Sequence, residues 1–288
     1  GHAGRHSGSH GAGLRPMAAT NPLYLFAGDS LTEGIYGENY VERVGKALYQ
    51  GQFGLTGSVV NAGRGGDTVN TLLARLDEPL DRYRPDWVVL EVGTNDVWIP
   101  WLANRSLGIL LWSRYQRLTK GLKPATDLDQ FAALYRRLID KVDRAGARAL
   151  VCTATPIGER ITSPLNSRLA RLNGVIKHVA VDRGAPVADV WQAFVEEYAP
   201  LSKPRGRVPG EWLVNWIDRR RLRSTPPDEI AERRRLRLTF DGLHLNSRGA
   251  DLWALTIVRA LARIQPHNAE SVPAVKLLNP PPGSNGAP

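Results

Sequence analysis

Four short stretches of this 288-residue chain pair glycine with a side chain able to do chemistry. They are GDSLTEG (28–34), NAGRGGDT (61–68), GTND (93–96) and DGLHLN (241–246). Ser30 follows an apolar run, Leu23 to Ala27. It is either a turn residue capping the next helix or a nucleophile held at the end of a strand. Outside the N-terminal leader the histidines are His178, within a predicted helix, His267, in the tail, and His244, in a loop beside an acid. Asp241 and His244 lie three residues apart and can share one turn. Asp241 can then hold one ring nitrogen while the other faces a substrate, which is the orientation Ser-His-Asp chemistry requires. The alternative is that Asp241 caps a helix and His244 is a surface residue.

These residues need a scaffold that brings four distant loops together, and the hydrophobic pattern predicts one. Near-continuous apolar runs at 23–27, 58–62, 86–93, 147–154 and 185–190 read as strands. Amphipathic or capped segments at 40–49, 68–76, 128–145, 166–183 and 247–264 read as helices between them, with Ser247 as a plausible N-cap. Buried strands alternating with helices imply a parallel sheet covered on both faces. In such sheets ligands bind beyond the C-terminal ends of the strands. Three of the four glycine-bearing stretches come directly after a predicted strand, and DGLHLN leads into the last helix.

Together the four stretches resemble the four blocks of the SGNH, or GDSL-type, hydrolases, in order and at about the family's spacing, over roughly residues 20–264. The resemblance implies a flavodoxin-like three-layer α/β/α sandwich with a central parallel five-stranded sheet. It implies a serine ester hydrolase with a catalytic triad of Ser30, Asp241 and His244, and an oxyanion hole from Ser30, Gly66 and Asn95. Gly63 matches an earlier position of the second block and is a second candidate. The roles agree with chemistry. A serine hydroxyl is a poor nucleophile until a base takes its proton, and a tetrahedral intermediate needs donors aimed at its oxyanion. Glycine at 65 and 66 permits unusual φ and close approach to a ligand. Asp29 and Asp96 are expected to brace their loops.

Other chemistries lack their signatures. There is no G-x-S-x-G elbow, no G-x-x-x-x-G-K-[ST] and no H-E-x-x-H. The single cysteine, Cys152, allows no intramolecular disulfide and no cysteine-based zinc site. No metal and no cofactor is expected. No apolar run reaches 18 residues, so no transmembrane segment is expected. Residues 1–16 read as a disordered or appended leader, with Met17 as the natural start. Residues 17–264 read as one hydrolase domain and 265–288 as a Pro/Gly-rich tail.

The net charge of +10 is unevenly spread. Residues 97–126 carry +5, residues 203–237 carry +6 and the leader +2, which leaves the rest at −3. Segments 97–126 and 199–238 are read as two insertions forming a cap. They hold Trp98, Trp101, Trp112, Trp212 and Trp216, and each adjoins a chemistry-bearing block. One reading packs them together with a solvated arginine face. The other makes them a lid, where tryptophan and leucine seat an acyl chain and arginine and lysine meet the phosphates of an anionic lipid or membrane surface. The expected substrate is a lipid-like acyl ester, with carbohydrate O-acetyl esters as the alternative. A non-catalytic lipid or polyanion binder is the reading of another class. No nucleic acid partner is expected, since no binding motif accompanies the charge. The expected location is cytoplasmic or peripheral to a membrane, with secretion left open.

Overall fold

A computed structural model describes residues 21–104, 123–201 and 224–264, with positions 108, 111 and 222. Five parallel strands form one sheet: β1 (Leu23–Gly28), β2 (Ser58–Asn61), β3 (Trp87–Glu91), β4 (Arg148–Cys152) and β5 (Val187–Ala188), in the order β2-β1-β3-β4-β5. This is the flavodoxin-like order, in which successive connections leave β1 in opposite directions. The resulting crevice lies beyond the carboxyl ends of β1 and β3. Register places Gly28, the last residue of β1, opposite Glu91, the last of β3.

The first helices along the chain are α1 (Ser30–Glu33), α2 (Tyr40–Tyr49), α3 (Val69–Arg75), α4 (Asp77–Tyr83) and α5 (Thr94–Ala103). After them come α6 (Leu128–Arg144), α7 (Pro164–Asp182), α8 (Val190–Tyr198), α9 (Pro227–Arg234) and α10 (Ser247–Ile264). Alternating side chains of each strand feed two cores, as the two-residue repeat of a strand requires. Leu25, Ala27, Val88, Leu90, Ala149 and Val151 pack under α3, α4, α6 and α7. Tyr24, Phe26, Val89, Leu150 and Cys152 face α2, α8 and α10. The fully buried rings of Tyr40 and Trp253 stack with centroids 4.5 Å apart and clamp α2 to α10. Among the described residues no helix is long and apolar enough to cross a membrane.

The helix boundaries have local causes. The Asn39, Asp127 and Ser163 side chains accept from backbone N–H groups at the starts of α2, α6 and α7. At α10 the expected cap, Ser247, is the first helical residue. Asn246 performs the capping, its Oδ1 accepting from Gly249 N at 3.0 Å. The fifth strand is shorter than the expected 185–190, because the Asp189 side chain accepts from Gln192 N and starts α8 there. Residues 97–103, read as the start of an insertion, belong to α5, which begins within GTND. In the second segment, α9 builds a small core of Ile230, Ala231, Leu236 and Phe240. Most of the remainder of both segments lies outside the described residues.

Candidate active site

The strand ends and the last loop converge. The Ser30 Oγ lies 3.4 Å from His244 Nε2, and His244 Nδ1 lies 2.7 Å from Asp241 Oδ2. Ser30 is the first residue of α1, which Asp29 caps by accepting from Leu31 N at 2.9 Å. That cap ends β1 abruptly and turns the serine into the crevice. The second partner rides on a tight loop. Asp241 Oδ1 accepts from Leu243 N at 2.8 Å and His244 N at 2.7 Å, so one carboxylate fixes both backbone and ring of His244. An antiparallel bridge between Thr239 and Leu245 closes the loop.

Both groups are nearly buried, with side-chain exposures of 9% for His244 and 7% for Asp241. Burial pushes the Asp241 carboxyl upward. The adjacent imidazole, as a charge and as a donor, and the two backbone N–H groups more than offset this, so the carboxyl sits below its ordinary range. The imidazole is held between rings, with Tyr36 meeting it edge-on at 5.5 Å and Phe240 stacking on it at 6.1 Å.

Asn95, near the start of α5, is 9% exposed. Its Nδ2 donates to Asp29 Oδ2 at 3.1 Å and to the Asp67 carbonyl at 3.0 Å, so both amide hydrogens already have acceptors. Gly66 has φ +86, a left-handed conformation that favours glycine, and open space where a side chain would start. Gly63 has a packing task instead. A Cβ there would come within 2.2 Å of Glu33 N, so only glycine lets this loop lie against α1. Gly65 N donates to Glu33 Oε2 at 2.8 Å, which ties the loop to α1. Arg75 braces it from behind, bonding Asp67 Oδ2 at 2.6 Å and the carbonyls of Gly28 and Ala62 at 3.2 and 2.8 Å.

The two acids expected to brace loops do so. Asp29 is fully buried under α1. Asp96 accepts from Val69 N at 2.9 Å and Ala125 N at 2.8 Å, joining α5 to α3 and to the returning end of the first basic segment. Burial raises the Asp96 carboxyl to about 7, against the pull of these two N–H groups. Raising the pH from about 4, near the unfolded carboxyl value, to about 7 ionises the unfolded form first, so folding stability falls across that window and levels off above it. In Asp96→Asn this component of the decline is expected to vanish in urea melts run from pH 4 to 8. Parallel curves for the variant and the unaltered chain would show that Asp96 does not titrate this way.

Of the tryptophans singled out in the sequence, Trp98 and Trp101 are half-buried on α5 and pack against the core beside α6 and α7. The Arg168 guanidinium lies 4.9 Å over the Trp101 ring. Trp112, Trp212 and Trp216 lie outside the described residues. Sequence reasoning passed over Glu91, Thr32 and Arg75. The signal for Glu91 was present as a lone acid inside the apolar run WVVLEV.

Comparison with known proteins bears on the family and the fold. Over 189 residues, 60% of this chain and 77% of the relative, the sequence is 26% identical to an acetylxylan esterase of Geobacillus stearothermophilus. A shorter stretch of 79 residues, 27% of this chain and 37% of the relative, is 38% identical to thioesterase 1/protease 1/lysophospholipase L1 of Escherichia coli strain K12. The crystal structure of the Geobacillus stearothermophilus acetylxylan esterase Axe2 superposes with a TM-score of 0.58 at 23% identity, covering 83% of this chain and 94% of that one. The acetyl xylan esterase AlAXEase superposes with a TM-score of 0.58 at 24% identity, covering 83% and 99%. These structural likenesses establish the fold. Residues 26–252, most of the chain, match the sequence profile of the GDSL-like lipase/acylhydrolases, and the chain belongs to that family.

Proposed function

We propose that this serine ester hydrolase removes short acyl groups, acetyl foremost, from hydroxyls of a carbohydrate. The observation that carries the substrate class is the reach of the likeness. It extends over 60% of the chain for the acetylxylan esterase against 27% for the thioesterase/lysophospholipase. The packing of Trp98 and Trp101 against the core also leaves these two with less apolar surface to seat a long acyl chain.

The chemistry is carried by Ser30, His244 and Asp241. Ser30 Oγ attacks the ester carbonyl while His244 Nε2 takes its proton. Asp241, already on Nδ1, stabilises the resulting imidazolium. The negative charge moves to the carbonyl oxygen, which the N–H groups of Ser30 and Gly66 and the Asn95 amide receive. Asn95 serves by turning toward the oxyanion the hydrogen it now gives to the Asp67 carbonyl. Collapse expels the sugar alkoxide, which takes the proton from His244. Water then attacks the acyl-enzyme, with His244 as base, and releases the carboxylic acid and Ser30.

The test is a kcat/KM series on aryl and sugar esters of two to twelve carbons, with and without anionic vesicles. Peak activity on acetyl esters, unaffected by vesicles, is the expected result. Peak activity on long chains, stimulated by anionic lipid, would replace the carbohydrate reading with the lipid one that the +5 and +6 segments favour.

A further inference from the structure

Behind the nucleophile lies a buried pair of acids to which no step of the reaction assigns a task. Asp29 is fully buried and Glu91 is 1% exposed. Glu91 Oε2 accepts from Thr32 Oγ1 at 2.9 Å and from Asp29 N at 3.4 Å. Thr32 in turn pairs with the Tyr40 hydroxyl at 2.7 Å. Asp29 Oδ1 accepts from Leu31 N and Oδ2 from Asn95 Nδ2. Three of the four carboxyl oxygens therefore have donors, while Glu91 Oε1 is buried with none among the described residues. Strand register sets Gly28 opposite Glu91, so the two acids adjoin at the ends of β1 and β3.

We propose that Glu91 is a positioning residue that shares a single proton with Asp29, and so holds Asp29 against both the nucleophile helix and the Asn95 amide. The inference rests on the serine-esterase reading above. The shared proton supplies the donor that the fourth oxygen lacks. It also keeps the pair at one negative charge, whereas two buried carboxylates this close repel strongly. A second charge would oppose the anion forming on the substrate and would pull Asp29 away from Asn95.

The other titratable groups around the pair do not supply this proton exchange. Burial raises the hydroxyls of Tyr40 on α2 and Tyr135 on α6 and the thiol of Cys152 on β4, so all three stay neutral. Asp67 is ion-paired to Arg75 at 2.6 Å. Burial first, and then the charge of Glu91, raise the Asp29 carboxyl, and burial raises that of Glu91.

The experiment compares the full chain with Glu91→Gln and Glu91→Leu, each normalised to active sites counted by a fluorophosphonate. Gln can donate one N–H to an ionised Asp29 and accept from Thr32, preserving the single charge. Glu91→Leu is expected to lose about tenfold or more in kcat with KM within twofold, and Glu91→Gln to lose less than threefold. The unaltered chain should lose kcat in the alkaline range as the pair takes its second charge, while Glu91→Gln should not. Should Glu91→Leu fail to fold, the alkaline profiles decide alone. Superimposable profiles overturn the proposal, as does equal damage by Gln and Leu. If the unaltered chain takes up no fluorophosphonate, the serine-esterase reading fails instead, before Glu91 is in question.

Discussion

Ser30→Ala is expected to abolish turnover of aryl acetates, lowering kcat by about 10⁶-fold while leaving KM within a few-fold. The size reflects the role of the hydroxyl. Without Oγ no acyl-enzyme forms, and His244 has no proton to move. The residual rate over water comes from whatever oxyanion donors and binding contacts survive. Stability should change little, because the cap of α1 is the Asp29 carboxylate on Leu31 N, not the serine side chain. Stopped assays at micromolar enzyme with circular dichroism check both halves. Wild-type turnover by Ser30→Ala would remove the serine from the mechanism.

Asp241→Asn should be nearly as severe, with about 10⁴-fold lost in kcat near neutral pH. The amide retains one oxygen to accept from Leu243 N and His244 N, so the loop keeps its shape. Its NH2 group then faces His244 Nδ1, where an acceptor stood 2.7 Å away. The ring responds by moving its proton to Nε2, the nitrogen 3.4 Å from Ser30 Oγ, which can then no longer take the serine proton. Steady-state rates from pH 6 to 10, with a crystal structure showing an unmoved loop, would isolate the tautomer effect. A loss under tenfold would mean that Asp241 only shapes the loop.

Much of this arrangement was legible in the sequence, because a parallel sheet converts chain order into spatial order. Ser30 and Asn95 stand just after apolar runs, and His244 stands just before the last helix, so strand and helix boundaries alone point to them. The short elements were harder to read. Residues 185–190 look like a strand, yet Asp189 ends it by capping α8, with Thr153 Oγ1 donating to the same carboxylate at 3.0 Å from beyond β4. Trp98 and Trp101 come after GTND, in the segment read as an insertion that is either a packed cap or a lid. Their position on α5, beside α6 and α7, is set by a helix that starts inside GTND and gains its meaning only in tertiary packing. Glu91 shows the same limit. A lone acid in an apolar strand is visible, but its partners Asp29 and Thr32 lie 62 and 59 residues away and only register brings them together. The Asn95 hydrogen bonds were equally hidden, because the Asp67 carbonyl belongs to a backbone turn.

The central claim, that Ser30 is a nucleophile activated by His244, is tested most directly by covalent labelling. Incubation with a fluorophosphonate, then intact-mass analysis and peptide mapping, should find one adduct per chain, on the peptide carrying Ser30, and none in the Ser30→Ala chain. An unlabelled protein, or an adduct on any other residue, would contradict the account.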